Sequence, residues 1–339
     1  MNRLKIYGIA LFLAAMFVAC NKNEEEKNPD VYVVGCEYDR QKSVWIAKFW
    51  KNGVAQNLFA SESKTAGAHS VFVSGNDVYV AGYTDGDAIL WKNGEAQKLT
   101  DGSYYAEAHS VFISGSDVYV AGIERGWVAT LWKNGVAQTL PLMGVNSYCT
   151  VFVSKNDVYL AGDFLLKNGV EKNLSRDENA TSIRTNSVYV SDNDEFVAGR
   201  ETRFRDGQFY YCATLWKNGV AQYLTDERTE EVAATSVYVA GRDVYVTGND
   251  CVDYTNDYGT FSMSVARLWK NGVAQDLTNG NENAFSSNAF SVFVSGRDVY
   301  VAGYERPKGE YVATIWKNGV AQNLTNGSSY ADALCVFVK

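Results

Sequence analysis

The sequence predicts an all-β protein made of seven copies of one four-stranded unit. Three repeated patterns support this prediction, and their counts agree along the 339 residues. Lys-Asn-Gly occurs seven times, an aspartate opens seven runs of the type Asp-Val-Tyr-Val-Ala-Gly, and a Val-Phe-Val type run also occurs seven times. A period of about 40 to 45 residues built of short β-rich pieces is typical of propeller blades, which cannot bury their faces alone. We therefore expect a seven-bladed β-propeller with four-stranded antiparallel blades.

Each copy divides into four strands by its local sequence. In the third copy, the runs from Val111 and Asp117 carry β-branched or aromatic side chains on both faces, which suits strands covered by neighbouring blades. The third strand, Val128 to Trp132, ends at the tryptophan. Asn134-Gly135 then supplies the positive φ angles of a two-residue hairpin that leads into the fourth strand.

The two ends of the chain complete one blade. The first copy, Asp30 to Leu58, has strands two, three and four but lacks the first, and Cys335 to Lys339 is a lone first strand. We expect these last residues to pair beside the strand that starts at Asp30. A blade shared in this way closes the ring and leaves no sheet edge exposed.

The N-terminal residues indicate export. Two positive charges lie within Met1 to Lys5, an apolar run of 14 residues follows, and Phe17-Val18-Ala19 leads to Cys20. Residues 1–19 resemble a lipoprotein signal peptide, which implies that Cys20 is lipidated and becomes the mature N-terminus. An ordinary secretory signal or a buried strand is the alternative. Residues 20–29 are then a polar tether, and residues 30–339 form a single propeller.

The acidic run that follows Cys20 resembles the surface-export signal of lipoproteins in Bacteroides and related bacteria. This resemblance implies an outer-membrane lipoprotein, held by an N-terminal lipid such as palmitate and exposed at the cell surface. A soluble spacer that faces the periplasm is the alternative.

Residues 30–339 resemble seven-bladed β-propellers in architecture, but they carry no motif of a better-known class. The Gly-His and Trp-Asp pairs of WD40 repeats, the kelch double glycine and the sialidase Asp box are missing. The resemblance therefore implies a fold and transfers no activity.

Charge and missing motifs exclude several function classes. The formal net charge of −8 argues against nucleic acid as a partner, since phosphate binding needs a basic face. The sequence contains no phosphate-binding Gly-rich loop, no nucleophile elbow and no His-Glu-x-x-His motif. We expect no cofactor, no metal site and a monomer.

Residues that recur in every blade are expected to serve blade geometry, so a functional site should lie where the repeat breaks. The aspartates of the second strands are interpreted as turn caps. The repeated tryptophans are interpreted as packing between blades, and they are Trp50, Trp91, Trp132, Trp216, Trp269 and Trp316.

The loops of variable length lie on one face of the predicted ring, and this variable-loop face is the candidate binding face. Blade four has almost no connection between its second and third strands, at Gly162 to Phe164, and should form a dip beside the long insertions of blades five and six. The predicted groove residues are Arg200, Arg203, Arg205, Tyr210, Asp250, Asp253, Tyr254, Asp257 and Tyr258. The alternative explanation of these insertions is that loop length and sequence vary freely at positions where no function constrains them.

Two histidines and two cysteines are further candidates. His69 and His109 occupy equivalent positions at the predicted mouth of the central channel, where they would move protons or bind a metal, but duplication of one blade also explains them. Cys36 and Cys335 fall on neighbouring strands of the first blade. Their diagonal offset favours two separate thiols over a disulfide.

Two functions remain open from the sequence. The first is a non-catalytic binding module for a glycan, a peptide or a partner protein, with tyrosines as stacking surfaces. The second is a carbohydrate- or peptide-processing enzyme that uses Asp250 with Asp253 or Asp257 as acid and base. The absence of a compact catalytic set favours the binding module. The stacking tyrosines would be Tyr83, Tyr104, Tyr105, Tyr210, Tyr254 and Tyr258.

Overall fold

The computed structural model describes residues 28–58, 65–125, 127–143, 149–256, 259–278, 284–307 and 309–339. Across these residues the secondary structure is all β, arranged as seven separate four-stranded antiparallel sheets. The predicted signal peptide and the predicted lipidation site, Cys20, lie outside the described residues. No helix in the described ranges is long and apolar enough to cross a membrane.

The first four blades follow the predicted order, with strand one of each blade on the channel. Blade 1 consists of β1 (Val31–Asp39), β2 (Val44–Lys51), β3 (Val54–Asn57) and β28 (Ala331–Val338). Blade 2 consists of β4 (Ala66–Ser74), β5 (Asp77–Thr84), β6 (Asp87–Lys92) and β7 (Glu95–Lys98). Blade 3 consists of β8 (Glu107–Ser114), β9 (Asp117–Glu124), β10 (Val128–Lys133) and β11 (Val136–Met143). Blade 4 consists of β12 (Thr150–Ser154), β13 (Asp157–Ala161), β14 (Leu165–Lys167) and β15 (Val170–Glu171).

The last three blades have the longest strands. Blade 5 consists of β16 (Ala180–Ser191), β17 (Asp194–Arg205), β18 (Gln208–Lys217) and β19 (Val220–Tyr223). Blade 6 consists of β20 (Ala233–Ala240), β21 (Asp243–Asn256), β22 (Gly259–Lys270) and β23 (Val273–Asp276). Blade 7 consists of β24 (Ala284–Ser295), β25 (Asp298–Pro307), β26 (Val312–Lys317) and β27 (Val320–Asn323).

The ring closes through the C-terminal strand, as the sequence predicts. Strand β28 pairs antiparallel with β1, and the pairing brings Val336 opposite Val33. Asp30 and Lys339 exchange two backbone hydrogen bonds of 2.7 and 2.9 Å at the end of this pairing. The prediction of a seven-bladed ring whose first blade is completed by the tail is therefore confirmed.

Each blade packs against its neighbour through one hydrophobic layer. The six repeated tryptophans are all fully buried, and each contacts apolar residues of the preceding blade. Trp132, for example, packs with Tyr79 and Leu90 of blade 2. In blade 4 the smaller Leu166 takes this place. The interpretation of the tryptophans as packing between blades is confirmed.

The repeated Asp and Lys-Asn-Gly residues form the same latch in all seven blades. The Asp carboxylate accepts a hydrogen bond of 2.8–2.9 Å from the Asn side chain and lies 2.7–2.9 Å from the Lys ammonium. The Asn backbone has φ of 51–53° and the Gly that follows has φ of 78–86°, as this hairpin type requires. The lysine hydrogen bond holds the pKa of each aspartate below its usual value, to about 2 at Asp30. We call the side of the ring that carries these latches the short-turn face.

A β-bulge interrupts the first strand of six blades near the channel mouth. In blade 3, Ala108 pairs with Gly122 and Ser110 pairs with Ala121, so His109 is the extra residue of the bulge. A Cβ on Gly122 would lie 2.0 Å from the carbonyl oxygen of Glu107, which explains the glycine at this position of the repeat. The extra residues of the other five bulges are His69, Asn186, Thr235, Phe290 and Leu334.

Candidate functional site

A groove lies above blade 4, where the strands are shortest. Strands β13, β14 and β15 have five, three and two residues, whereas β21 of blade 6 has 14. The wall of blade 5 therefore stands uncovered beside blade 4 and bounds a cavity of about 670 Å³. We define the blade-4 groove by six lining residues, which are Asp163, Phe164, Lys172, Arg176, Arg184 and Arg200.

The floor of the groove is fixed by contacts between blade 4 and the first strand of blade 5. Thr185, which is fully buried, accepts a hydrogen bond of 3.0 Å from the Gly162 amide through its hydroxyl. The same hydroxyl lies 2.9 Å from the Gly162 carbonyl oxygen and 3.2 Å from that of Phe164. The short connection after β13 thus folds onto blade 5, which leaves the Phe164 ring 40% exposed in the groove.

Positive charge prevails in the groove. Four of the lining residues are cationic, and Asp163 and Glu171 are the anionic ones among the described residues. Three of the four cations are paired: Arg184 lies 3.4 Å from Asp163, Arg200 lies 3.1 Å from the exposed Glu231, and Lys172 lies 2.5 Å from Glu195. The exposed Arg176 forms no ion pair with any residue that the structure describes.

Three of the predicted groove residues belong to an ion cluster on blade 5. The Arg203 guanidinium is 2.8 Å from Glu201 and 2.7 Å from Glu227, and it lies over the Tyr223 ring. Arg205 binds the second oxygen of Glu227 and lies over the Tyr210 ring at 4.7 Å. Glu201 is fully buried, so this cluster is a closed structural network. Neither arginine lines the blade-4 groove.

Asp250 belongs to a second, separate ion cluster. Its side chain is nearly fully buried, and its two oxygens lie 3.0 Å from Arg228 and 2.9 Å from Arg267. The Arg267 guanidinium also reaches Asp276 at 2.9 Å. Asp250 Oδ1 also accepts a hydrogen bond of 2.8 Å from the Cys251 amide, so this buried carboxylate is engaged by three protein donors.

The remaining predicted groove residues lie on the long hairpin of blade 6. Asp253 is exposed and pairs with Ser262 across the hairpin, and Tyr254 is half-buried. Asp257 and Tyr258 lie outside the described residues. Of the nine predicted residues, Arg200 is the one described residue that lines the blade-4 groove.

Lys172, Arg176 and Arg184 were not among the sequence-based candidates. The sequence could have indicated them, because they lie close in sequence to the short connection of blade 4 that predicts the groove. Arg184 precedes Asn186 by two residues, and Lys172 and Arg176 lie in the connection that leads from blade 4 to blade 5.

The central channel contains a second cavity of about 450 Å³, which we call the channel cup. Its rim includes His69, His109, Thr150, Asn186 and Leu334. Four of these rim residues, His69, His109, Asn186 and Leu334, are the extra residues of β-bulges, which re-aim side chains.

A circle of seven aromatic side chains surrounds the channel and lines the cup. Successive ring centroids lie 4.8–5.0 Å apart around the whole circle, with interplanar angles of 43–55°. We call this ring the aromatic collar, and its members are Phe72, Phe112, Phe152, Tyr189, Tyr238, Phe293 and Phe337.

The two histidines lie in the rim as a pair of linked rings. The His69 and His109 centroids are 5.6 Å apart, and His69 also stacks on Tyr83 at 5.6 Å. Glu107 lies 3.2 Å from His109 Nε2 and 3.8 Å from His69 Nε2. Burial lowers the pKa of His69 to about 4, so its imidazole is neutral near pH 7. His109 Nδ1 accepts a hydrogen bond from the Cys149 amide, which engages it structurally.

Metal and disulfide chemistry have no support in the described part of the chain. No group of three or more His, Cys, Asp or Glu side chains within it is arranged to hold a metal ion. Cys36 and Cys335 are both free thiols. Cys335 lies opposite Val34 and Cys36 lies opposite Asp332, so the two cysteines are not direct neighbours across the sheet. The Cys335 thiol is instead directed at the carbonyl oxygen of Val71 in blade 2.

Comparisons with known proteins give no family for this chain. A scan against models of protein families finds no match, and a search of curated proteins finds none either. The fold is assigned from its own seven sheets. Many solved structures are similar in part, and among them are the computationally designed Ika8 protein and two others. The Ika8 protein gives a TM-score of 0.44 with 16% identity, and covers 86% of this chain and 83% of that chain.

The other two similar structures are natural proteins. Drosophila Semaphorin 1a, extracellular domains 1–2, gives a TM-score of 0.43 with 8% identity, and covers 79% of this chain and 80% of that chain. YCF48 bound to D1 peptide gives a TM-score of 0.36 with 11% identity, and covers 76% of this chain and 91% of that chain.

Proposed function

We propose that this protein is a lipid-anchored binding protein of the bacterial cell surface that holds an acidic oligosaccharide in the blade-4 groove. The observation that carries the proposal is the charge of that groove. Arg176, Arg184, Arg200 and Lys172 surround a cavity of about 670 Å³, within the 300–1,000 Å³ of typical ligand sites. Guanidinium groups bind carboxylates and sulfates through charge-assisted hydrogen bonds.

The neutral part of the groove favours a sugar over a peptide. The exposed ring of Phe164 offers an apolar platform for the face of a pyranose. The wall of blade 5 contributes the hydroxyl groups of Thr181, Ser182 and Thr202, which are suited to hydrogen bonds with sugar hydroxyls. An acidic peptide is the competing ligand, and it is included in the test below.

The orientation of the ring supports anchoring through Cys20. The chain enters the propeller at the short-turn face, where Asp30 is held by the Lys51 and Asn52 latch. The ten residues from Cys20 to Pro29 span at most about 36 Å. A lipid at Cys20 would hold the short-turn face near the membrane, and the groove on the opposite face would point away from it.

Catalysis by the loop carboxylates has no comparable support. Asp250 is buried and bound by two arginines, and the exposed Asp253 lies on the blade 6 hairpin, away from the groove lining. An acid and base pair needs two carboxyl groups that face one bond of the substrate. We therefore propose binding without turnover.

We predict that Arg176→Ala weakens binding of an oligogalacturonate hexasaccharide roughly tenfold, because it removes one charge-assisted hydrogen bond worth about 1.5 kcal/mol. Arg176 suits this test because its replacement leaves no described carboxylate without an ion-pair partner. Calorimetry on residues 20–339 would measure the dissociation constant at two salt concentrations.

Arg297→Ala is the matched control for this experiment. It removes the same charge from an exposed position on the short-turn face, and it should leave the affinity unchanged. A neutral galactose hexasaccharide should bind weakly to both variants and to the parent protein. Tighter binding of hexaglutamate than of the hexasaccharide would show that the ligand is a peptide. Equal losses of affinity in Arg176→Ala and Arg297→Ala would refute the blade-4 groove as the binding site.

A further inference from the structure

We propose that three exposed aromatic side chains between blades 2 and 3 form a binding site for one or two neutral sugar units. We call Tyr104, Tyr105 and Trp127 the aromatic platform. The two tyrosines lie in the connection from β7 to β8, and Trp127 lies in the connection from β9 to β10, so all three are on the variable-loop face. The platform is separate from the blade-4 groove and does not depend on the acidic ligand proposed for that groove.

The first argument is the exposure of the platform. Tyr104, Tyr105 and Trp127 are 59%, 48% and 50% exposed, whereas the six repeated tryptophans of the ring are fully buried. Single exposed apolar side chains are common on protein surfaces, but a group of them indicates a binding surface. Three aromatic side chains gathered at one edge of the variable-loop face therefore point to a ligand.

The second argument is that contacts between side chains hold the platform in one arrangement. The ring centroids of Tyr105 and Trp127 are 6.4 Å apart, with an interplanar angle of 42°. The Arg125 guanidinium lies 5.8 Å from the centroid of the Tyr104 ring. The Tyr105 hydroxyl donates a hydrogen bond to the Glu107 carboxylate. Side chains that are already ordered lose less entropy when a ligand binds.

The Tyr105 ring also packs on the hairpin between β5 and β6. A Cβ on Gly86 would lie 3.2 Å from this ring, which is a tight contact. The Ala106 amide donates a hydrogen bond of 2.7 Å to the Gly86 carbonyl oxygen and fixes the chain beside the ring. Blade 2 thus supports the platform from below.

The third argument is the backbone conformation of Trp127. Its φ is 86°, a value that bulky residues rarely adopt. Glycine would take this conformation at lower cost, so the geometry of the turn does not explain the tryptophan. Burial does not explain it either, since the side chain is half exposed. Strained residues of this kind occur mainly at functional sites, and contact with a ligand accounts for the indole here.

The size of the platform indicates the kind of ligand. An aromatic side chain has roughly 150–250 Å² of surface, so three half-exposed ones offer roughly 300 Å². A stable protein interface takes about 800 Å² from each partner. The platform is therefore small for a protein partner, whereas aromatic rings of this number can stack on the apolar faces of one or two pyranose units.

The charge beside the platform favours a neutral sugar. Arg125 is the cation nearest to these rings in the connection between β9 and β10, and it lies 3.6 Å from the Glu124 carboxylate. The pairing leaves little positive charge for an acidic sugar, in contrast to the exposed Arg176 of the groove.

Tryptophan fluorescence measures binding to the platform directly. Of the eight tryptophans, Trp127 is the exposed one, six are fully buried and Trp45 is half-buried. Titration of the parent protein with the neutral galactose hexasaccharide should shift the emission to shorter wavelength and reach saturation, at a weak affinity. Tyr104→Ala keeps this reporter and should weaken the affinity roughly fivefold, because one stacking contact is lost. Trp127→Ala should abolish binding, as measured by broadening of the sugar signals in NMR.

Phe261→Ala is the matched control. It removes an aromatic side chain that is 48% exposed on the blade 6 hairpin, and it should bind the neutral hexasaccharide like the parent protein. Arg176→Ala should also bind it like the parent. Thermal unfolding would verify the fold of each variant, and exposed side chains of this kind contribute little to stability.

Two outcomes would overturn the inference. The first is the absence of saturable binding, or an affinity that is equal in the parent protein, Tyr104→Ala and Trp127→Ala. The second is a concentration-dependent dimer of the parent that Trp127→Ala abolishes and the sugar does not affect, which would assign the platform to a second copy of the chain.

The groove and the platform fail separately. Arg176-dependent binding of the acidic hexasaccharide, unchanged in Trp127→Ala, would support the proposed function even if the neutral hexasaccharide did not bind. Trp127-dependent binding of the neutral hexasaccharide would support the platform even if no acidic ligand bound to the groove.

Discussion

A chain that stops at Tyr330 is expected to lose its cooperative unfolding transition. Removal of β28 uncovers the inner edge of β1, takes Phe337 from the aromatic collar, and empties the layer in which Val336 and Val338 pack against blade 7. Exposed edges and uncovered apolar faces favour partly unfolded and aggregated states. Circular dichroism during urea titration should show a broad or absent transition, where the full chain shows a sharp one.

A chain that lacks only Lys339 is the control for this truncation. It loses two backbone hydrogen bonds with Asp30 but keeps every packed residue of β28, so its midpoint should change little. Addition of a synthetic Ala331–Lys339 peptide to the truncated chain should restore part of the transition. An unchanged urea midpoint in the truncated chain would contradict closure of the ring by its tail.

Trp132→Ala should lower the free energy of unfolding by about 3–5 kcal/mol, the usual cost of truncating a fully buried aromatic side chain. The indole fills the layer between blades 2 and 3 and is fully buried. Trp132→Leu should cost less, because Leu166 already fills the equivalent place between blades 3 and 4. Chemical denaturation at equilibrium would measure each difference.

Trp127→Ala is the matched control, five residues away on the same chain segment. Its side chain is 50% exposed, and its removal should change the free energy of unfolding by less than about 0.5 kcal/mol. A loss for Trp132→Ala as small as the loss for Trp127→Ala would show that the repeated tryptophans do not hold the blades together.

Features that recur in every blade could be predicted from the sequence because repetition itself exposes them. The latch of Asp117 with Lys133 and Asn134 involves residue types that recur in all seven copies, and the tryptophan that packs like Trp132 recurs in six. Closure by the tail followed from the complementary gaps at the two ends. Each of these features depends on neighbours that are near in sequence or related by the repeat.

The site residues depend on contacts that the repeat does not encode. Arg203 looked like a ligand-binding residue in a long insertion, but its partner Glu227 comes from the connection between blades 5 and 6, and ion pairing between two variable loops leaves no periodic signal. Asp250 is engaged by Arg228 and Arg267 in the same way. The blade 4 dip was visible in the sequence, whereas the arginines that face it became evident only when blade 5 was placed beside blade 4.

The sequence did not predict the bulges, although it aligned the residues at which they occur. Equivalent places in the repeat hold His69, His109, Asn186, Thr235 and Phe290, which share no chemical property. Sequence reasoning could align these residues but could not explain their variety. The structure shows that each is the extra residue of a β-bulge, and that the bulge lets its side chain make contacts outside its own sheet, as His109 does with the Cys149 amide and Thr235 does with the Ala289 carbonyl oxygen.

The uniform way in which each blade joins the next makes the ring insensitive to where the chain is cut. In most blades, a serine hydroxyl of the first strand accepts a hydrogen bond from the first-strand amide of the following blade, as between Ser110 and Val151 or between Ser291 and Val336. The two termini meet through Asp30 and Lys339. A circular permutant that joins these termini by a short linker and opens the chain at the short turn of another blade would therefore retain the same contacts between blades.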